Sequence, residues 1–270
     1  MFFLCPLRGA SSGSGSIQRA VILAAGKGTR MGELTVDVPK PMLSVCGTPI
    51  VEHILSGLTS AGIREIYIVI GWRGEAIRDY CGSGEKWGIS ISYGNQGVQN
   101  GTGKAAEVAR QFAGDSDFLL TYGDILVPPE AYQQTIRRFS ETTSSGLLTV
   151  TYGEDVTKGL SVLLDKDFYV EELIERPSDS QMKQLLAAGQ LKPYGSVWRD
   201  AGIYIFRSSL FDFTCRLECS PRGEYELTDA VKKMLISGRR LMGLEIGNRW
   251  VDVRNPEVLA SLQRPSSFVD

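Results

Sequence analysis

The chain has 270 residues, a length that fits one large domain or two small ones and allows a sizeable buried core. Its 29 Lys plus Arg and 31 Asp plus Glu nearly cancel, which excludes the basic excess of a general nucleic-acid binder. No apolar run approaches the roughly 18 residues that a membrane span needs, so we expect neither nucleic acid nor membrane among its partners.

The N-terminal segment predicts no folded element. Residues 1–7 are mostly apolar but too short for a good secretory signal. The Ser/Gly run at 11–16 is typical of a flexible lead-in, which we place at residues 1–18. The five cysteines are scattered without CxxC or zinc spacing, which indicates ordinary reduced thiols. These features favour a cytoplasmic enzyme or binding protein.

In the first half of the chain, strand and helix signals alternate. Apolar β-branched runs predict strands, and amphipathic spacing bounded by Gly or Pro predicts helices. We expect strands at 20–24, 65–70, 89–93 and 118–122, and helices at 49–61, 74–80, 103–112 and 128–139. This alternation predicts an α/β fold with a mostly parallel sheet covered on both faces, and ligands at the carboxyl ends of its strands.

The second half differs, because strands follow one another directly. We expect strands at 146–152, 160–164, 169–174, 201–206, 241–246 and 250–253, and helices at 226–236 and 255–262. Neither a linker nor a repeat interrupts the pattern, so we predict one continuous domain over residues 19–265. The chain ends soon after the last predicted helix, and we expect a monofunctional protein.

The most informative segment is the Gly-rich loop after the first predicted strand. The apolar run from Ala20 opens into Gly26-Lys-Gly-Thr-Arg30, and Lys40 follows between two prolines. Glycines let backbone N–H groups turn toward an anion, and Lys and Arg neutralise its charge, so the segment predicts phosphate binding. The prolines beside Lys40 restrict the backbone and reduce the freedom that its side chain must lose.

Two common phosphate motifs do not match. The loop opens like a dinucleotide-binding fingerprint, but Met31 stands where the third glycine should be. The segment 100–105, Asn-Gly-Thr-Gly-Lys-Ala, ends like a P-loop but lacks the upstream glycine and the hydroxyl after the lysine. Neither a Rossmann cofactor site nor a P-loop is supported.

Taken together, the motifs resemble those of the sugar-1-phosphate nucleotidyltransferases. The matching blocks are Leu23-Ala-Ala-Gly-Lys-Gly-Thr-Arg-Met31, Pro39-Lys-Pro-Met-Leu43, Gly47-Thr-Pro-Ile50, Gly101-Thr-Gly103, Tyr122-Gly-Asp124, Glu175-Arg-Pro177, Asp200-Ala-Gly-Ile-Tyr-Ile-Phe206, Glu224-Tyr-Glu-Leu-Thr-Asp229 and Trp250-Val-Asp252. The resemblance covers residues 19–262 in the family's order. It implies a Rossmann-like three-layer sandwich with a mostly parallel mixed central sheet, a nucleotide-binding part at about 19–140 and a small β-rich sugar-binding part at about 141–265.

The resemblance implies Mg²⁺-dependent transfer of a nucleotidyl group from an NTP to a sugar 1-phosphate, giving a nucleotide-sugar and pyrophosphate. Positioning and charge neutralisation suffice for a direct attack, and no protein nucleophile is required. The catalytic residues would be Arg30 at the β- and γ-phosphates, Lys40 at the α-phosphate and sugar phosphate, and Asp124. Asp124 and Asp252 would bind Mg²⁺, which prefers hard oxygen ligands.

The resemblance also implies the binding residues around this centre. The nucleotide would contact Leu23, Ala24, Ala25, Gly26, Lys27, Gly28, Thr29, Gln96, Gly101 and Thr102. The sugar phosphate would contact Gly159, Glu175, Arg176 and Asp200, with Gly159 letting the sugar approach the backbone. Arg176 stands where Lys is commoner and Asp200 where Asn is commoner. A guanidinium is a planar fork and a carboxylate lacks the amide donor, so the sugar's identity stays open.

Several functional alternatives remain open. The resemblance favours UTP or dTTP, because family members that use these nucleotides have a Gln and a Gly at the spacing of Gln96 and Gly101, and an amide can offer both a donor and an acceptor to a pyrimidine edge. A cytidylyl- or guanylyltransferase acting on another phosphorylated sugar or polyol is the second reading, and a non-catalytic sugar-nucleotide-binding homologue is the third. A lone Asp near a strand end is also a common cap or turn former. A homo-oligomer is compatible with each reading.

Overall fold

The structure is a computed structural model that describes residues 17–151, 159–175, 178–187 and 198–263. The strands are β1 (Arg19–Ala24), β2 (Ser44–Val45), β3 (Thr48–Pro49), β4 (Glu65–Ile70), β5 (Ser90–Asn95), β6 (Phe118–Tyr122), β7 (Ile125–Leu126), β8 (Gly146–Thr151), β9 (Leu160–Leu164), β10 (Val170–Glu175), β11 (Trp198–Phe206), β12 (Leu241–Glu245) and β13 (Val251–Asp252). The helices are α1 (Ile50–Ser60), α2 (Gly74–Cys81), α3 (Thr102–Val108), α4 (Arg110–Ala113), α5 (Pro129–Ser140), α6 (Asp179–Ala187), α7 (Phe211–Thr214), α8 (Leu227–Ile236) and α9 (Pro256–Ser261). Most predicted elements are confirmed to within a few residues.

The central sheet has nine strands among the described residues. One path runs β10-β9-β11-β6-β1-β4-β5. Off this path, β8 pairs with β11, and β12 pairs with β8. Strands β6, β1, β4 and β5 are parallel, as are β8 and β12, whereas β11 runs antiparallel to β6, β8 and β9. The predicted mixed α/β sheet is confirmed, and its antiparallel strands come from the second half of the chain.

Strand β1 is buried on both faces, which explains its continuous apolar sequence. Ala20 and Ile22 belong to one apolar cluster and Val21 to another, because successive side chains of a strand point to opposite faces. The first cluster also contains Ile54 of α1 and Tyr132 of α5, and the second contains residues of α3 and α8. Helices on both faces of the sheet form the predicted three-layer arrangement.

The helix predicted over 103–112 is confirmed apart from a break at Ala109, which divides it into α3 and α4. Ala109 has ψ of 0°, and its N–H donates to the Ala106 carbonyl at 3.0 Å. This i→i−3 bond tightens the last turn and ends the regular ladder. The sequence did not predict β2, β3, β7 and α7, since elements of two to four residues show no periodicity. The helix α6, of nine residues, was not predicted either.

The cysteines of the described residues are not paired in disulfides. Cys46, Cys81, Cys215 and Cys219 are free, and burial raises the pKa of Cys81 to about 12.

Across the described ranges, no three or more His, Cys, Asp or Glu side chains group in a way that could hold a metal ion. Nor does any helix of the described chain have the length and apolar character needed to cross a membrane. Most of the predicted lead-in, residues 1–16, lies outside the described residues.

Candidate active site

Two parallel strands end at the same edge of the sheet and place the Gly-rich loop beside Asp124. Leu23 of β1 pairs with Tyr122 of β6, and the Gly123 N–H donates to the Leu23 carbonyl at 2.9 Å. The chain therefore leaves β1 and enters the loop next to the turn that carries Asp124. This is the carboxyl edge of the parallel strands, where the sequence predicted the ligand site.

The Gly-rich loop curls around the stem of Lys40. Gly28 has φ of 64°, in the left-handed region, and a Cβ there would lie 3.2 Å from both Lys40 Cβ and Thr35 Cγ2. The Thr35 hydroxyl donates to the Gly28 carbonyl at 3.0 Å. Glycine at this position thus allows the close approach that packs the loop against the lysine.

Lys40 and Asp124 form an ion pair at the base of the loop. A short 3₁₀ helix begins at Lys40, between Pro39 and Pro41, and Lys40 is only 7% exposed. Its Nζ lies 2.6 Å from Asp124 Oδ2. Because burial is most costly for an unpaired charge, each of the two side chains holds the other in place.

Asp252 is joined to Asp124 through the backbone. Strands β7 and β13 pair with Asp252 opposite Ile125, and the Val253 N–H donates to the Asp124 carbonyl at 3.0 Å. Burial and then the neighbouring Asp124 carboxylate raise the pKa of Asp252, against the opposing effect of nearby cations. Two repelling carboxylates fit Mg²⁺, which commonly takes one or two of them and completes its shell with water and substrate phosphates.

These residues surround a cleft of about 660 Å³. It is lined by every predicted nucleotide-binding residue and all three predicted catalytic residues, namely Leu23, Ala24, Ala25, Gly26, Lys27, Gly28, Thr29, Arg30, Lys40, Gln96, Gly101, Thr102 and Asp124. Glu224 and Arg254 also line the cleft and were not predicted. The structure therefore brings the predicted phosphate and base contacts together in one cleft.

The loop that carries the predicted base contacts packs directly on the chain at Tyr225. Gln96 is buried, and its Nε2 donates to the Gly101 carbonyl at 3.0 Å. Gly101 has φ of 122°, and a Cβ there would lie 2.4 Å from the Tyr225 carbonyl oxygen. The Tyr225 N–H donates to the Asn100 carbonyl at 2.8 Å. A side chain at residue 101 therefore has no room without moving one of these backbones.

We expect Gly101→Ala to lower the free energy of unfolding by about 2 kcal/mol or more, because its methyl group meets backbone atoms and its φ is strained for an L residue. Gly97→Ala, in the same loop, is the matched control, since no described atom lies within 4 Å of its added Cβ. Urea unfolding of both variants measures the difference. Equal midpoints would contradict the packing at Tyr225.

A second cavity, of about 310 Å³, adjoins the cleft. Arg30, Thr102, Tyr122 and Asp124 line both cavities. The predicted sugar-side residues Gly159, Glu175 and Asp200 line the second one together with the predicted metal ligand Asp252, whereas Arg176 lies outside the described residues. Ligands that filled the two cavities would therefore meet at Arg30 and Asp124.

Glu175 pairs with an arginine that the sequence predictions did not include. Arg222 Nη2 lies 2.5 Å from Glu175 Oε1 and 2.8 Å from Glu226 Oε1. Glu226 lines the second cavity, and burial raises its pKa. Arg222 lies two residues before the block that begins at Glu224, which was the available signal, but nothing in that block marks an ion pair with Glu175 on a distant strand.

Gly159 has a protein neighbour where the sequence predicted room for a sugar. A Cβ at Gly159 would lie 2.9 Å from Arg199 Nε, so the Arg199 guanidinium already packs against the backbone of Gly159. The Arg199 Cζ lies 5.5 Å from the centroid of the Trp250 ring, and both residues line the second cavity. Contact between Gly159 and a sugar stays a prediction.

Asp200 lies on β11 at the wall of the second cavity. Its Oδ2 accepts a hydrogen bond from the Tyr204 hydroxyl at 2.5 Å, whereas its buried Oδ1 finds no hydrogen-bond partner among the described residues. Burial raises the pKa of Asp200 to about 6. Because an unpaired buried oxygen is unfavourable, Oδ1 is suited to accept a hydrogen bond from a ligand hydroxyl.

Asp200→Asn is expected to change how stability depends on pH. A folded-state pKa of about 6, above the ordinary value of 3.8, means that ionisation of Asp200 lowers stability as the pH rises through this window. The stability of the variant relative to wild type should therefore be about 1 kcal/mol more favourable at pH 8 than at pH 5. Urea unfolding at both pH values measures this, with exposed Asp212→Asn as the control. No change with pH would contradict a buried, titrating Asp200.

The fold and the two cavities define an α/β protein with a Gly-rich cleft at the carboxyl edge of its parallel strands and a second, polar cavity beside that cleft. The chain belongs to the Nucleotidyl transferase family, whose sequence profile matches residues 19–265.

Named relatives agree with this family. Bifunctional protein GlmU of Methanococcus maripaludis (strain C7) is 34% identical over 246 residues, which are 91% of this chain and 54% of GlmU. UTP–glucose-1-phosphate uridylyltransferase AglF of Haloferax volcanii is 28% identical over 240 residues, which are 88% of this chain and 92% of AglF. A solved UDP-glucose pyrophosphorylase complexed with UDP-glucose shares the fold, with a TM-score of 0.77 at 17% identity over 92% of this chain and 97% of that one. The chain spans about half the length of the GlmU proteins that it matches.

Proposed function

We propose that this protein transfers a nucleotidyl group from UTP or dTTP to a sugar 1-phosphate, giving a nucleotide-sugar and pyrophosphate. The observation that carries the proposal is that two adjoining cavities share Arg30 and Asp124, with Lys40 2.6 Å from Asp124. A reaction between two phosphate-bearing ligands needs charged groups fixed at the point where the ligands meet. Membership of the family and the likeness to AglF support the same reaction class.

In the proposed reaction, an oxygen of the sugar phosphate attacks the α-phosphorus of the NTP in line with the bond to the β-phosphate. The new P–O bond forms as that bond breaks, and the electron pair leaves with pyrophosphate. Both reactants are anions, so the protein must neutralise and orient them rather than supply a nucleophile. Arg30 would hold the β- and γ-phosphates, and Lys40 would neutralise the α-phosphate and the incoming sugar phosphate.

Asp124 and Asp252 would hold Mg²⁺. When bound, Mg²⁺ offsets the negative charge of the phosphate oxygens. Burial, and after it the neighbouring Asp124 carboxylate, raise the pKa of Asp252, and a cation held by both carboxylates would offset this cost. Lys40 supplies part of the compensating charge through its ion pair with Asp124.

The nucleotide would lie in the larger cleft. Backbone groups of residues 23–29 would follow its phosphates and ribose, with Lys27 adding a cation at the rim. Gln96, Gly101 and Thr102 would contact the base. The AglF name specifies UTP, which supports UTP as one of the two proposed nucleotides.

The sugar phosphate would occupy the smaller cavity, with Gly159, Glu175, Arg176 and Asp200 as its contacts. Glu175 and Asp200 offer carboxylate oxygens, which accept hydrogen bonds from hydroxyls. Asp124, Glu226 and Asp252 line the same cavity, together with Arg30 and Arg199, so five carboxyl groups and two guanidinium groups lie on its walls. This composition favours a neutral, hydroxyl-rich sugar over a uronic acid, because a sugar carboxylate would meet like charges.

Release of pyrophosphate from a panel of NTPs and sugar 1-phosphates, with MgCl2 and with EDTA, tests the proposal. We expect turnover with UTP or dTTP and at least one neutral sugar 1-phosphate, and loss of turnover in EDTA. No turnover with any pair would contradict the activity. Preference for CTP or GTP would favour the cytidylyl- or guanylyltransferase alternative instead.

A non-catalytic sugar-nucleotide-binding homologue remains the other alternative. Such a protein has no need of both phosphate cations and both metal carboxylates, yet Arg30, Lys40, Asp124 and Asp252 are all present. Product binding without turnover would favour it. Several sequence predictions remain to be tested. Cell fractionation tests the cytoplasmic location, and light scattering tests the homo-oligomeric state. Limited proteolysis tests the lead-in over 1–18 and the division of domain 19–265 near residue 140.

A further inference from the structure

Trp72 contacts both ends of the Gly-rich loop. It lies two residues after β4, and its backbone N–H donates to the Ala25 carbonyl at 3.1 Å, where the loop begins. Its indole Nε1–H donates to the Thr35 carbonyl, also at 3.1 Å, at the end of the 3₁₀ helix that closes the loop. One residue therefore ties together the two limbs of the segment 25–35.

Thr35 connects this brace to the lysine of the candidate active site. Thr35 is buried, and its hydroxyl donates to the Gly28 carbonyl at 3.0 Å. Gly28 is packed so closely on Lys40 that an added Cβ would lie 3.2 Å from Lys40 Cβ. A shift of Thr35 would therefore loosen the loop at the point where it packs on Lys40.

Two cations lie against the Trp72 ring. Lys27 Nζ is 5.9 Å from the ring centroid, and Arg73 Cζ is 5.4 Å from it. Arg73 also forms an ion pair with Asp37 at 3.0 Å, which attaches the chain after the loop to the same site. Lys27 is exposed and lines the cleft, so the ring restricts a long side chain that would otherwise sample many rotamers.

We propose that Trp72 is a positioning residue for NTP binding, which holds the Gly-rich loop and Lys27 in the conformation that receives the phosphates. The inference rests on the proposed function and goes beyond it, because Trp72 belongs to none of the motifs that led there. Within the described part of the chain, the walls of the two cavities do not include Trp72. It acts through the loop and not on the reacting atoms.

Two variants separate the contacts of Trp72. Trp72→Leu removes the ring and the indole donor, whereas Trp72→Phe keeps a ring and removes the donor. We expect the Kd for UTP, measured by titration calorimetry with MgCl2 and without sugar phosphate, to rise about tenfold in Trp72→Leu and about threefold in Trp72→Phe, as the loss of such contacts implies. KM for UTP should rise in parallel, while kcat at saturating UTP and KM for the sugar 1-phosphate change less than about twofold.

Trp87→Leu is the matched control. Trp87 is also half-buried and also has a lysine on its ring, with Lys86 Nζ 4.9 Å from the centroid. Among the described residues that line the cavities, Trp87 is absent, so the Kd for UTP should stay within about twofold of wild type. Circular dichroism establishes that each variant is folded, and Trp72→Phe carries the test if Trp72→Leu is not.

The role of Lys27 is tested by combining variants. Lys27→Met should also raise the Kd for UTP. The double variant Lys27→Met with Trp72→Leu should raise it by less than the product of the two single effects, because both changes remove the contact between Lys27 and the Trp72 ring. If the double variant raises the Kd for UTP by the full product of the two single effects, Trp72 does not act through Lys27.

The outcomes distinguish this inference from the proposed activity. Unchanged UTP binding in folded Trp72 variants, or equal increases in KM for both substrates, would overturn the positioning role. If wild type binds UTP but turns over no sugar 1-phosphate, the proposed activity fails while the effect of Trp72 on binding remains measurable. A wild-type protein that binds neither UTP nor dTTP would overturn both.

Discussion

Replacing Lys40 by Met is expected to lower kcat for nucleotidyl transfer by at least about a hundredfold, or about 2.7 kcal/mol of transition-state stabilisation. Lys40 is nearly buried and lies 2.6 Å from Asp124, so its charge is fixed where two anionic phosphates would meet. Met keeps most of the volume of the stem and removes the ammonium group. Initial rates of pyrophosphate release at saturating UTP and sugar 1-phosphate measure the loss.

Lys232→Met provides the control for this experiment. Lys232 lies in α8, where its Nζ is 3.7 Å from Asp229 Oδ1, and neither residue is among the described residues that line the cavities. Its loss should change kcat by less than about twofold, since a partly exposed ion pair contributes little. A Lys40→Met enzyme as fast as Lys232→Met would remove Lys40 from the mechanism. A large rise in KM with unchanged kcat would assign Lys40 to ground-state binding instead.

The Gly-rich loop was predictable because its signals are local. In β1, buried on both faces, every position from Ala20 to Ala24 is apolar, and that run ends at Gly26 where the backbone must turn. Gly101 was likewise visible as a glycine in a motif, although its need for φ of 122° was not. Short-range patterns of this kind predicted the sheet and most helices, whereas the resemblance to the family implied the residues of the larger cleft.

The contacts that join distant segments could not be predicted in the same way. Lys40 and Asp124 are 84 residues apart, and their proximity depends on the order of β1 and β6 in the sheet. Asp252 reaches Asp124 through two-residue strands that show no periodicity. Trp72 and Arg222 act through ring and ion-pair contacts that no local pattern marks. The resemblance supplied Asp252, and only the structure supplied Trp72 and Arg222.

Asp124→Asn is expected to lower kcat by at least about a hundredfold and to raise the MgCl2 concentration that gives half-maximal rate. Asn has nearly the same size, so the change removes a negative charge while the turn after β6 keeps its shape. Asp124 lies at the junction of the two cavities, is paired with Lys40 and is bonded through its carbonyl to Val253. Pyrophosphate release across a MgCl2 titration measures both effects.

Asp252→Asn and Asp229→Asn complete this test. Asp252 shares the Asp124 site through β7 and β13, so its variant should show the same shift in MgCl2 dependence, whereas Asp229→Asn, on α8, should show none. If Asp124→Asn lost activity without any shift in MgCl2 dependence, its main role would be to hold Lys40, because that ion pair is the contact the change removes directly. If only Asp252→Asn shifted the MgCl2 dependence, Asp252 would be the metal ligand and Asp124 would act through its ion pair with Lys40. Near-normal rates in both variants would contradict the proposed mechanism. The reaction between two anions would then proceed without a carboxylate-bound metal, and Arg30 and Lys40 alone would neutralise the phosphates.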